Sequence, residues 1–290
     1  MSASFENAAS RIPVYKTNKI NGHEFKIMTN YSTVLPIIEE LGDGSNSKVW
    51  RVFDHRDNIE KAMKVVMVVP RRLESFLSEV EILKQVGTQI EGVPRYYEHF
   101  LIGGNTHAIQ FAILMQYIDG YDLEKTLQYQ TGVTDDILLK FGYWLFNLVT
   151  KLHDMGLVHN DIKPSNILID NKNHFYLVDF GFACYVDRCS PVRKGSYMYM
   201  SPEAIKSDST RQYGLKANDI WACGMVLLEM INLHTIYEGT NLDVLIKTIT
   251  APINVPDRGP ISTVISGCLV PENQRWTARQ CLEYLQDVMA

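Results

Sequence analysis

The sequence predicts an α+β chain whose β-rich first part gives way to a larger, mostly helical second part. Three observations carry this. From Val34 to about Gln116, short apolar runs suited to strands recur: Ile37 to Leu41, Lys48 to Val52 and Met63 to Val69. A single helical window, 72–86, interrupts them, with Phe76, Val80, Leu83 and Val86 at spacings of three and four. After Gly120 the period becomes helical throughout, as in Leu138, Phe141, Leu145, Leu148 and Leu152. The third observation is length, since 290 residues can bury a large core and suit two lobes better than one.

In chain order, residues 1–30 are polar with scattered apolar positions and no sustained period, which predicts a loosely ordered extension. Residues 31–116 form the small β-rich part, 117–120 a hinge, and 121–290 the helical part. Within the last, Thr134 can cap the long helix that stops at Gly156. Further helices are predicted over 216–231, 241–248, 261–268 and 277–288. No internal repeat or low-complexity tract appears.

Composition narrows the function classes. A hydrophobic content of 46% and a charged content of 21% are those of an ordinary globular protein. A net charge of −5 argues against nucleic acid as a partner, which asks for a basic face. No run of 18 apolar residues is present, so no membrane partner is expected. The start, Met1-Ser2-Ala3-Ser4, is neither a secretory signal nor, with Ser at the second position, an N-myristoylation site. Five cysteines, Cys184, Cys189, Cys223, Cys268 and Cys281, form no C-x-x-C pair and predict reduced thiols. A cytoplasmic or nuclear location follows as the expectation. Nothing in the pattern bears on oligomeric state.

The chemistry concentrates in His159-Asn160-Asp161-Ile162-Lys163-Pro164-Ser165-Asn166, followed thirteen residues after Asn166 by Asp179-Phe180-Gly181. A carboxylate, a lysine two places on and an amide three further on can serve a hydroxyl, a phosphate and a metal together. The amide oxygen and the second carboxylate are hard ligands that suit Mg²⁺. The two segments resemble the catalytic loop and D-F-G metal-binding turn of the eukaryotic protein kinases. The resemblance runs over about residues 34–288. It implies the two-lobe protein kinase fold, with a small antiparallel sheet and one regulatory helix in the first lobe, and ATP and Mg²⁺ as cofactors. Asp161 then orients the substrate hydroxyl and takes its proton, Lys163 neutralises the transferring phosphoryl group, and Asn166 with Asp179 holds Mg²⁺.

In the first part, Leu41-Gly42-Asp43-Gly44-Ser45-Asn46-Ser47-Lys48-Val49 looks like the kinase glycine-rich loop, with Ser47 for the third glycine and Asn46 for the aromatic tip. Glycines there let backbone N–H groups approach phosphate oxygens. Lys64 resembles the strand lysine that grips the phosphates, with Val49 and Ala62 beside the adenine and Leu41 as a further nucleotide contact. Its helix partner should be Glu79. Glu81 sits about 200° round the helix from Glu79 and cannot face the same lysine. The stretch 114–123 resembles the hinge, with Met115 as gatekeeper, Gln116 and Ile118 on the adenine edge, and Asp122 near the ribose or a substrate basic group. Leu168 completes the nucleotide set implied by the resemblance.

In the second part, His159 is read as packing under Phe180. Ser196 falls where the family places a threonine that bonds the catalytic Asp and Lys. Glu203, in the segment that ends like A-P-E with Ser201 for Ala, should pair with Arg275. Asp219 should brace the catalytic loop. Lys163 marks a serine/threonine enzyme, and Phe182 after the D-F-G turn implies serine, with threonine as the alternative, as the protein acceptor. Asn160 departs from the family, where most members carry arginine. With the glycine loop, this pattern is also similar to that of the monopolar-spindle kinases, which are dual-specificity. The implied function is ATP- and Mg²⁺-dependent phosphorylation of a protein hydroxyl. The alternative is a pseudokinase or ATP-binding scaffold without turnover, favoured only by the altered glycine loop, since Lys64, Asp161 and Asp179 are all present.

Overall fold

The computed structural model describes residues 11–44, 47–104, 108–189, 195–206, 215–234 and 253–290. The helix predicted over 241–248 lies outside these residues, as do Ser45 and Asn46 of the glycine loop. The chain divides into two compact units, Met1–Gln89 with Pro94–Ile118, and Ile90–Val93 with Asp119–Ala290.

The first unit carries strands β1 (Tyr15–Ile20), β2 (His23–Met28), β3 (Ile37–Asp43), β4 (Ser47–Asp54), β5 (Ile59–Val68), β6 (Tyr96–Gly104) and β7 (Ile109–Gln116). They form one sheet in the order β1-β2-β6-β7-β5-β4-β3. Its neighbours run antiparallel except β2 and β6, which meet in parallel with Ile27 opposite Leu101. The expectation of a loosely ordered segment over residues 1–30 is therefore corrected at 15–28, which form a hairpin. Asn21 and Gly22 make its turn at φ of 51° and 85°, the paired positive values of a tight hairpin turn. Phe25 and Met28 anchor it in the core, and Asn30 ties its base by accepting from Val14 N and donating to Ile12 O, both at 2.8 Å. β1 itself is exposed along almost its whole length, so it shows no alternation of apolar residues.

One core of this unit gathers Met28, Val34, Leu35, Val52, Met63, Phe100, Ala112 and Leu114. The single long helix α1 (Leu73–Gln89) buries Leu73, Phe76, Val80, Leu83 and Val86, as its period predicts. Phe76 stacks on Phe111 at 4.4 Å, and Phe111 meets Phe25 edge-on at 4.9 Å. A charged network is also buried here. Asp54, fully buried, accepts from Lys61 Nζ at 2.8 Å and from Arg56 Nε and Nη2 at 2.8 and 2.6 Å. Lys61 also pairs with Asp57 and lies 4.3 Å over the Tyr97 ring, and Arg56 reaches Glu98. Burial alone would raise the Asp54 carboxyl, but the bonds from Arg56 and Lys61 outweigh it and hold it down to about 2.

The second unit carries helices α2 (Leu123–Gln128), α3 (Asp135–Asp154), α4 (Pro202–Lys206), α5 (Leu215–Asn232), α6 (Pro260–Cys268) and α7 (Ala278–Met289). Each helix predicted here within the described residues appears within two residues of its expected bounds. Thr134 caps α3, its hydroxyl accepting from Ile137 N, and Thr277 with Gln280 forms a capping box on α7. α5 is buried without a break from Asn218 to Met230, which makes it the axis of this unit. Short strands β8 (Gly120–Asp122), β10 (Ile167–Asp170) and β11 (Phe175–Leu177) form a small sheet in the order β11-β10-β8, and β9 (Leu157–Val158) pairs with β12 (Cys184–Tyr185). Gly120 is required there, because a Cβ would stand 1.9 Å from Ile169 O.

The expectation of five reduced thiols is also corrected. Cys184 and Cys189 are joined in a disulfide, their Cα atoms 5.3 Å apart. The turn after β12, closed by Arg188 N donating to Tyr185 O at 2.8 Å, folds the second cysteine back on the first. Cys223, Cys268 and Cys281 remain free and buried. No helix among the described residues is long and apolar enough to cross a membrane.

Candidate active site

Asp161, Lys163 and Asn166 meet in the second unit, on the loop between β9 and β10. Asp161 is 4% exposed, and both its oxygens are engaged. Oδ1 accepts from Ser196 N at 2.8 Å, and Oδ2 from Asn166 Nδ2 and Lys163 Nζ, each at 2.9 Å. Lys163 Nζ also donates to Ser196 Oγ at 2.8 Å. The backbone N–H of Ser196 thus reaches the carboxylate, while its hydroxyl meets the lysine. Asn166 Nδ2 makes a second bond, to Asp161 O at 2.8 Å. With the amide nitrogen committed twice, Asn166 Oδ1 is the face left to a hard cation.

The loop is held from below by Asp219 of α5, which is fully buried. Its Oδ1 accepts from Asn160 N and its Oδ2 from His159 N, both at 2.9 Å, and His153 Nε2 lies 3.1 Å from Oδ2. His159 packs edge-on against Phe180 with ring centroids 4.9 Å apart. Asp161 N donates to His159 Nδ1, so the ring proton sits on Nε2 and is donated to Val178 O at 3.2 Å. Burial pushes the imidazole pKa down against the opposing pull of Asp219, Asp161 and Asp179. His159 is accordingly a neutral spacer within electrostatic reach of both Asp161 and Asp179. Asp179 is exposed and holds a left-handed backbone at φ 61°, unusual for a residue with a side chain, with Oδ1 accepting from Gly181 N at 3.2 Å.

The segment after residue 194 is fastened on the same loop. Gly195, at φ 104°, passes so close that a Cβ would lie 2.2 Å from Asn160 O. Glu203 of α4 meets Arg275 Nη1 at 2.5 Å, and Arg275 also donates to Ala217 O and Val270 O and lies 5.0 Å over the Trp221 ring. Tyr199 Oη donates to Glu229 at 3.0 Å, and burial beside that carboxylate drives its phenol pKa up. Asp122 and Leu168 stand opposite each other between β8 and β10. Asp122 is also the N-cap of α2, accepting from Lys125 N at 2.7 Å.

In the first unit, Lys64 Nζ lies 2.6 Å from Glu79 Oε1, both side chains 10% exposed, whereas Glu81 is exposed. The sheet sets Val49 opposite Lys64, and Ala62 opposite Met115. Gln116 faces Lys61 across β5 and β7, and Ile118 is buried. Leu41 is exposed at the end of β3. A Cβ at Gly42 would meet nothing and one at Gly44 only Ser47, so neither glycine is required by packing within the chain. Gly44 N donates to Ser47 O at 2.8 Å, which closes the turn between β3 and β4.

Sequence reasoning did not find three of these contacts. The approach of Gly195 to Asn160 and Asn218 Oδ1 accepting from Ser201 N at 2.9 Å join residues distant in sequence, and the Cys184–Cys189 disulfide depends on how the chain turns after β12. The five-residue spacing of Cys184 and Cys189 was the one available signal.

A sheet unit bearing a buried lysine–glutamate pair, and a helical unit bearing an aspartate held by lysine, asparagine and serine, define the two-lobe protein kinase fold. The protein kinase domain family matches residues 35–285, and the chain belongs to that family. Among curated proteins it is similar to mitogen-activated protein kinase kinase 7 of Arabidopsis thaliana, 28% identical over 83% of this chain and 81% of the relative. Mitogen-activated protein kinase kinase 8 of the same plant is 26% identical over 94% and 89%. CBL-interacting serine/threonine-protein kinase 21, also from that plant, is 28% identical over 72% of this chain and 49% of its own length. The family carries protein kinase activity and uses ATP with a divalent metal in general.

Proposed function

We propose that the chain is a Mg²⁺-dependent protein serine/threonine kinase that transfers the γ-phosphate of ATP to a serine, or alternatively a threonine, of a protein. The observation that carries this reading is the Asp161 carboxylate, buried and fixed at both oxygens by Ser196 N, Asn166 and Lys163. Phosphoryl transfer asks a protein mainly for positioning and charge stabilisation, and this cluster supplies both.

Asp161 orients the acceptor hydroxyl and receives its proton. Lys163 sets its ammonium beside that carboxylate, where it offsets charge on the transferring group. Asn166 Oδ1 and the Asp179 carboxylate are hard oxygen donors suited to Mg²⁺, which when bound neutralises the nucleotide phosphates. In the first unit, Lys64, oriented by Glu79, takes phosphate oxygens, and the backbone at Gly42 and Gly44 covers them. Val49, Ala62, Met115, Gln116, Ile118, Leu41 and Leu168 serve the base, and Asp122 the ribose or a basic substrate group. Phe182, 40% exposed just after the D-F-G turn, supports the preference for serine. The similarity to a relative whose name includes serine/threonine-protein kinase supports the same class.

The test is phosphorylation of an arrayed peptide library by the purified chain with radiolabelled ATP and Mg²⁺. Label on serine peptides, lost in Asp179→Ala together with Mg²⁺-dependent nucleotide binding, is expected. Absence of transfer by the unaltered chain, with nucleotide binding intact, would instead favour an ATP-binding scaffold.

A further inference from the structure

We propose that Cys184 and Cys189 are a reversible thiol–disulfide modification site whose state sets turnover at Asp161 through Asn160, an inference that rests on the kinase reading above. The pair lies just beyond Asp179-Phe180-Gly181. Cys184 opens β12, whose partner β9 ends at Val158, directly before His159-Asn160-Asp161. The cross-linked turn is thus bonded to the strand that feeds the catalytic loop.

Asn160 makes the second connection. Its backbone is left-handed at φ 64°, and its Nδ2 donates to Phe182 O at 3.1 Å and stands 3.1 Å from Cys184 Sγ. Its Oδ1 is buried with no hydrogen-bond partner among the described residues, so the amide grips this segment through nitrogen alone. Asn160 is neutral, and therefore offers no cation to a phosphate in the position where a charged side chain would. The β9–β12 ladder holds only two pairs, Val158 with Cys184 and Leu157 with Tyr185. A two-pair ladder is weak by itself, and the covalent bond to Cys189 restricts the ensemble it must order.

The chemistry fits these two cysteines rather than the other three. Cys184 and Cys189 are half-buried, whereas Cys223, Cys268 and Cys281 have no exposed surface. Burial pushes the Cys223 and Cys268 thiols up, away from the reactive thiolate. The oxidant is a small disulfide of the glutathione class. One cysteine thiolate attacks it, expels one small thiolate and forms a mixed disulfide, which the second cysteine thiolate then displaces. Two protein thiols lose two electrons and two protons, and the small disulfide leaves as two thiols.

The oxidised form is the one in which Asn160 and Asp161 are fastened as described, so it is the faster form. Asn160 is here a positioning residue. Reduction should lower kcat at least threefold and change the KM for ATP less, because Lys64, Glu79, Gly42 and Gly44 lie in the first unit, and Asp122 and Leu168 lie on β8 and β10, outside the β9–β12 ladder. The full chain is equilibrated in buffers running from reduced to oxidised glutathione, alkylated and mapped by mass spectrometry, with steady-state kinetics on the same samples. The expected result is a kcat that rises with loss of alkylation at Cys184 and Cys189 and returns on reduction. Cys189→Ser, which keeps Cys184 beside Asn160, should stay at the lower kcat in every buffer. Constant turnover while the pair interconverts would overturn the inference alone, as would full alkylation at both cysteines in every buffer, or a redox response that persists in Cys189→Ser. Absence of turnover in all buffers would overturn the kinase reading and this inference with it.

Discussion

Asp54 and Asp161 are both buried carboxylates, one in each unit, and they are held by different kinds of partner. Asp54 faces two cations, Arg56 and Lys61, which make three charge-assisted bonds to it. Asp161 takes one ammonium and two neutral donors, an amide and a backbone N–H. In the first arrangement the surroundings neutralise a charge, and the group is architecture. In the second they aim its oxygens with less neutralising charge, which is the arrangement the proposed orientation of an acceptor hydroxyl asks for. A count of buried carboxylates would not have separated them; the charge of their partners does.

Five tests, ranked from the largest expected effect to the smallest, bear on that contrast. The largest effect is expected from Asp54→Asn, which takes from buried Lys61 and half-buried Arg56 the carboxylate they share and leaves them only Asp57 and Glu98. A loss of about 3–5 kcal/mol in unfolding free energy is the cost of breaking a buried pair this way. Urea denaturation measures it, and turnover of the remaining folded protein should be unaltered. Asp161→Asn should do the reverse, cutting kcat by ~10²-fold, about 2.7 kcal/mol of barrier, with nucleotide binding retained. If Asp161→Asn shifts the urea midpoint as far as Asp54→Asn does, the distinction between orientation and architecture collapses.

Acid comes next. The Asp54 carboxyl sits at about 2 when folded against an ordinary 3.8. A depressed value means the stabilisation is complete above about pH 4 and is lost as pH falls toward 2. The loss is on the order of 2 kcal/mol. Stability measured from pH 5 to pH 2 should show that slope in the unaltered chain and lack it in Asp54→Asn.

Ser196→Ala removes the hydroxyl that accepts from Lys163 but leaves the backbone N–H on Asp161. A fall in kcat of roughly threefold to tenfold is expected, about 1 kcal/mol. The smallest effect should come from phosphatase treatment. Asn160 has no charge to answer a phosphate and is already bonded to Phe182 O. Phosphate-free protein, confirmed by mass spectrometry, should keep most of its turnover. A drop of about tenfold or more would show that another cation has taken that role.

The catalytic loop was legible from residue type at fixed spacing, whereas the Lys64–Glu79 and Glu203–Arg275 pairs were legible only through the resemblance of their segments to the kinase family. Helix α5 was legible in extent but not in burial, since period alone does not tell a surface stripe from a helix enclosed on every side. The hairpin of β1 and β2 was missed because β1 exposes nearly every side chain. Its one local signal is the Asn21-Gly22 turn. The disulfide was missed because an odd cysteine count pointed to thiols, while the pairing of β9 with β12 that positions Cys184 is a long-range contact no local pattern announces.

That hairpin has a practical meaning for anyone cutting the chain. The family match begins at residue 35, but the sheet begins at Tyr15. A fragment trimmed to the family limit would turn β6 into an open border and strip Phe25 from the ring of Phe111. Unpaired main-chain groups beside a newly bared aromatic are a template for other chains to add to. Such a fragment would keep every residue assigned to phosphotransfer, and would precipitate by recruiting copies of itself.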